Sequence, residues 1–136
     1  MERIYSSIKK DVLLDVICRK EDIDKRREDF GSQEDALQVS FIEFKEGDSV
    51  PAHKHLKNIR ETDTTQEAVI VVEGKLEATF YDLNDLEIKK VELKMGDCCV
   101  CYAGGHLFKS LVSGTKLYEI KNGPYLGGEK DKTYIA

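Results

Sequence analysis

Only three histidines occur in these 136 residues, and their placement is the strongest chemical signal in the chain. His53 and His55 sit one residue apart in Gly47-Asp48-Ser49-Val50-Pro51-Ala52-His53-Lys54-His55, and His106 follows Gly104-Gly105. Residues two apart on a strand point to the same side, with α carbons roughly 6.5 Å apart. The pair can therefore grip one ion while Lys54 faces away. Glu67 opens the apolar run that ends at Glu73-Gly74, so its carboxylate can join them if the intervening loop folds over. Three imidazoles and a carboxylate, His53, His55, Glu67 and His106, make a mixed ligand set suited to iron, nickel, manganese or zinc. Four protein ligands around tetrahedral zinc would close the site and make it structural. A six-coordinate metal would keep two positions for water, substrate or dioxygen, and barrel interiors commonly hold such small ligands.

Acid–base candidates beside that set are Glu119, Tyr102, Tyr81 and Arg60. Glu119 lies between Tyr118 and Ile120, where a carboxylate turned inward would have a raised pKa. Arg60, in the loop between His55 and Glu67, could clamp an anionic substrate. Iron would support dioxygen chemistry, as in a dioxygenase, and a non-redox metal would support carbonyl polarisation, as in an isomerase. A non-catalytic binding or sensing module, or a purely structural metal site, are the alternatives. No nucleophile motif, phosphate loop, cofactor fingerprint or DNA-binding helix pair is present.

The elements that must position these residues are short strands. Asp11–Cys18, Ala36–Lys45, the His-Lys-His stretch, Glu67–Val72, Lys75–Asp82, Glu87–Leu93, Cys98–Tyr102, His106–Leu111 and Thr115–Lys121 all read as strands. Leu76, Ala78 and Phe80 alternate with Glu77, Thr79 and Tyr81, and glycine turns recur between the runs. Glu21–Phe30 reads as a short helix or charged turn, and residues 1–10 as a loose arm. Many short strands without a long amphipathic helix mean an all-β sandwich or barrel. One domain is expected: an N-terminal arm, strand and charged segment over 1–35, a barrel core over 36–125 and a tail over 126–136. Val69 and Val71 would share the inward face of Glu67. Ala68, Ile70 and Val72 would then point outward, and such apolar residues need cover, from the N-terminal strand or from a second subunit. A homodimer is the expectation.

Composition narrows the class further. Hydrophobic residues make up 40% and charged residues 35%, which is ordinary for a globular domain, and the net charge is -5. Lys25-Arg26-Arg27 lies among acidic residues and reads as a solvated face, so nucleic acid is not an expected partner. No apolar run has membrane-spanning length, and no signal-like apolar segment follows Met1, so no membrane partner and a cytoplasmic location are expected. Cys98, Cys99 and Cys101 crowd one strand, far from Cys18, and read as small apolar residues rather than as a disulfide or zinc framework.

Gly47, His53, His55, Glu67 and Gly74, followed by Gly96, Gly104 and His106, resemble the two motifs of the cupin superfamily. Eleven residues, Leu56 to Gln66, separate His55 from Glu67, where that family has three or four. Tyr102 stands at the usual proline position, and the glycine-to-histidine interval of the second motif is one residue short. The resemblance covers about half the chain. It implies a double-stranded β-helix, the jelly-roll barrel, with His53, His55, Glu67 and His106 as ligands of a divalent transition metal. The closing segment Glu119-Ile120-Lys121-Asn122-Gly123-Pro124-Tyr125 resembles that of a group of small bacterial cupins, some of which travel with polysaccharide and nucleotide-sugar genes, and this implies a small polar, sugar-like substrate held inside; residues 56–66 would either displace Glu67 or cross the mouth as a lid.

Overall fold

A computed structural model describes residues 1–135 of the chain. The described residues are mainly β and form three antiparallel sheets. The largest has the order β1-β2-β8-β5-β10: β1 Glu2–Tyr5, β2 Leu13–Cys18, β8 Cys98–Cys101, β5 Glu67–Glu73 and β10 Lys116–Lys121. A second has the order β7-β6-β9, from β7 Glu87–Lys94, β6 Lys75–Tyr81 and β9 Gly105–Ser110. A short ribbon pairs β3 Arg27–Asp29 with β4 Ser40–Ile42. Among the described residues helix is confined to a 3-10 turn at Lys20–Asp22 and one turn, α1, at Gly128–Asp131. No helix among the described residues is long and apolar enough to cross a membrane.

The large sheet is the middle of three layers, and this explains its composition. One face carries Ile4, Ile17, Val69, Val71, Cys99 and Cys101 against Leu76, Ala78, Phe80 and Leu93 of the second sheet. The other carries Val16, Cys18, Ala68, Val100 and Tyr102 against Phe30, with Leu37, Val39 and Phe41 around it. A strand covered on both sides cannot alternate apolar with polar, which is why β2 and β8 are almost wholly apolar or thiol-bearing. All four cysteines are free and pack as small core groups, three of them buried. Cover fades toward the sheet edge, where Val72, Tyr118 and Ile120 are exposed.

Two glycines carry the chain from one sheet to the other. Gly74, between β5 and β6, has φ +80°, and a Cβ there would lie 2.9 Å from the Thr115 α carbon. Gly104, between β8 and β9, has φ +72°, and a Cβ there would lie 2.4 Å from the Tyr81 carbonyl oxygen. A side chain could occupy neither place without moving backbone.

Four sequence expectations change. Glu21–Phe30, read as a short helix or charged turn, has a 3-10 turn only at its start and then holds β3, whose partner is β4. Residues 1–10 hold β1, which pairs with β2 and buries Ile4, a non-local partnership that so charged a tetrapeptide does not advertise. The strand expected over Ala36–Lys45 narrows to Ser40–Ile42. The His-Lys-His stretch is not a strand: it has no ladder partner, and residues 49–64 are exposed without regular structure. Pro51 removes a donor and the stretch lacks an apolar stripe, so nothing there rewards pairing.

Candidate functional site

Glu67 and His106 come together across the gap between the two large sheets. Glu67 begins β5, and its neighbours across the ladders are Cys101 on β8 and Lys121 on β10. Val69 and Val71 share its face and lie in the core, which places Glu67 on the inward side. His106 lies on β9 opposite Phe80, set there by the Gly104 crossing. Its Nε2 is 3.6 Å from Glu67 Oε1. The ring stacks on Phe108, two residues on, with centroids 5.0 Å apart.

A lysine that the sequence reading passed over completes the cluster. Lys121 Nζ lies 3.0 Å from Glu67 Oε2 and 3.3 Å from Glu119 Oε1. Glu67 is buried, with its side chain 8% exposed, whereas Lys121 and His106 are 24% and 31% exposed. Burial pulls the Lys121 ammonium down, but its bonds to Glu67 and Glu119 more than offset this and leave it above the usual lysine range. Burial holds His106 below the ordinary imidazole value; Glu67 opposes the shift and Lys121 assists it. The imidazole is therefore neutral at pH 7 and presents an acceptor or a donor rather than a charge.

The cluster borders an open groove of about 510 Å³ lined by Thr65, Glu119, Lys121, Asn122, Gly123, Tyr125, Asp131 and Lys132. Hydrogen bonds hold its rim. Asn122 Oδ1 accepts the Gln66 N–H at 2.6 Å, Asn122 Nδ2 donates to the Thr64 carbonyl at 3.1 Å, and Thr65 Oγ1 donates to Asp131 Oδ1 at 2.6 Å. These bonds pin the approach to β5 against the exit from β10 and against the C-terminal segment. The signal that could have found Lys121 was its alternation with Glu119 on a strand facing Glu67, two opposite charges on one face.

Of the other residues singled out from sequence, all but Glu119 lie elsewhere. His53 and His55 meet edge to face, ring centroids 5.3 Å apart, on the exposed stretch, with His53 Nδ1 2.8 Å from the Pro51 carbonyl. Arg60 is exposed on the same stretch. Glu119 lines the groove, paired with Lys121. Tyr102 is buried on the opposite face of the large sheet, among Phe30, Val16 and Val100. Tyr81 is half-buried at the end of β6.

For a metal, Glu67 and His106 supply two ligands, but an ammonium already stands against the second carboxylate oxygen. Among the described residues no group of three or more histidine, cysteine, aspartate or glutamate side chains is placed to hold a metal ion. The residues as arranged do not fit one. A scan against protein-family models, a search of curated proteins and a search of solved structures each found no match to this chain.

Proposed function

We propose that this chain is a non-catalytic binding module for a small, uncharged, polyhydroxylated molecule of the sugar class, seated in the groove beside Lys121. The observation that carries this reading is the charge balance of the lining. Two cations, Lys121 and Lys132, stand with two carboxylates, Glu119 and Asp131, among Thr65, Asn122 and Tyr125. A ligand with net charge would meet as much repulsion as attraction there. A ring of hydroxyls finds both acceptors and donors. Lys121 neutralises Glu67, so the buried carboxylate at the centre is not available as a free base. The finer architecture in this proposal is the jelly roll. Its support is that two large sheets face each other and two glycines in positive-φ conformations pass the chain between them.

The test is an amide chemical-shift titration with glucose, N-acetylglucosamine and glucuronate. The neutral sugars are expected to move the Thr65, Lys121 and Asn122 signals saturably and glucuronate to bind more weakly, with Lys121→Met abolishing the response. No response to any of the three at millimolar concentration ends the reading.

A second reading, a metal-dependent enzyme, is kept by one observation: the motif positions Glu67 and His106 do meet. It requires the stretch bearing His53 and His55 to swing onto them and Lys121 to leave. Zinc and iron(II) titrations decide it. Stoichiometric binding lost in both His53→Ala and His106→Ala supports it, and binding that survives either change excludes it. A homodimer joined through the bare strip of Val72, Tyr118 and Ile120 is part of the proposal, and sedimentation showing only monomer at micromolar concentration would remove it.

A further inference from the structure

A second groove, of about 310 Å³, lies on the opposite face of the large sheet. Four carboxylates line it: Glu34 and Asp35 from the loop before β4, and Glu61 and Asp63 from the approach to β5. Thr62, Thr64 and Gln66 supply neutral polar groups, and no lysine, arginine or histidine lines it. None of the four carboxylates takes part in an ion pair among the described residues.

An acidic rim alone is only a solvated surface. The floor makes this one different. Tyr102 also lines the groove, yet it is only 4% exposed, and its hydroxyl has no hydrogen-bond partner among the described residues. A buried hydroxyl is rarely left so. The local backbone is arranged around it: a Cβ at Gly31 would lie 2.5 Å from both Tyr102 Oη and Asp35 Oδ2. Glycine at that position lets a phenol and a carboxylate approach one point. Asp35 is itself held, its Oδ2 accepting the Ser32 N–H at 2.6 Å and its Oδ1 lying 3.4 Å from Gln66 Nε2.

We infer that this groove is a second binding site, for a small organic cation of the diamine or polyamine class. One primary ammonium donates to the Tyr102 phenol oxygen beside Asp35, and further ammonium groups pair with Glu34, Glu61 and Asp63. A metal ion is the wrong occupant, because it needs a tight shell of converging oxygens and no such group forms here. Ammonium groups separated by several methylenes match carboxylates spread along a rim. Burial, and after it the Asp35 charge, pushes the Tyr102 phenol up to about 12, so it remains a neutral hydroxyl with a lone pair to offer across the physiological range.

The experiment is calorimetric and amide-shift titration of the full chain with 1,4-diaminobutane and with spermidine, at low and at physiological ionic strength. Saturable binding is expected, with shifts at Gly31, Thr64 and Ala103 and none at Lys121 or His106. Tyr102→Phe should weaken it about fivefold or more, its fold verified by circular dichroism. The double change Glu61→Gln with Asp63→Asn removes two exposed carboxylates, leaves the core untouched, and should weaken spermidine more than the diamine. Absence of saturable binding, indifference to both variants, or equally tight calcium binding at the same amides overturns the inference. A failure of the sugar titration leaves it standing, because the two grooves share no residue.

Discussion

Asp15 shows how one residue's burial becomes a property of the whole protein. It is fully buried on β2, and neither carboxylate oxygen has a hydrogen-bond partner in the geometry described. Burial pushes its pKa up to about 8, opposed only by the neighbouring Cys101 thiol. The folded chain therefore holds a proton that the unfolded chain releases near pH 4. Between about pH 4 and 8 unfolding releases that proton, so the contribution of Asp15 is favourable in acid and is lost as pH rises through that window, at most about 1.4 kcal/mol per pH unit. Asp15→Asn should remove this slope. In urea denaturation from pH 5 to 9, the variant is expected to gain on the native protein up to about pH 8 and to level off above it. A parallel pair of profiles would mean that Asp15 is ionised in the fold or is solvated.

At the scale of the element, two stretches behave in opposite ways. The crossing at Gly104 is over-determined: positive φ and a carbonyl oxygen in the path of any Cβ. Gly47 also has positive φ, +84°, but nothing lies within 4 Å of a Cβ there. Gly104→Ala is thus expected to cost about 3 kcal/mol or more, and Gly47→Ala about 1 kcal/mol. Equal losses in thermal unfolding would show that the close approach to Tyr81 is not sustained. The 49–64 stretch, by contrast, carries Ile59 at 92% exposure and no ladder. Trypsin should cut first at Lys54, Lys57 or Arg60 and leave both sheets folded. First cleavage elsewhere would place that stretch against the body of the protein.

The same contrast explains what the sequence made legible. β5 to β10 were readable because each run is local: alternation or an apolar block, bounded by a glycine turn. Asp85 and Gly96, in the turns on either side of β7, take positive φ. β1 was hidden because its reason to form is β2, eight residues away, and not its own composition. Glu67 and His106 could be paired from sequence because each begins a strand whose inward face is fixed by its neighbours. Lys121 was legible only as one of two opposite charges on one face of a strand; its meeting with Glu67 depends on the β5–β10 register, and strand register is a non-local fact. His53 and His55 had the right interval and lacked the apolar neighbours that would have made their stretch a strand.

For the molecule as a whole, two sheets wrapped on one core present a charged cluster at their shared edge, next to one groove, and leave a second groove on the far side. That arrangement depends on three side chains from different strands meeting at one point. Titration of the imidazole C–H signals by proton NMR tests it most directly, with His106 assigned through His106→Gln. His106 should titrate below the ordinary imidazole value, lower still in Glu67→Gln, and higher in Lys121→Met, because Glu67 favours the imidazolium and Lys121 opposes it. An unshifted His106 midpoint that neither substitution moves would contradict the meeting of these groups, and with it the site.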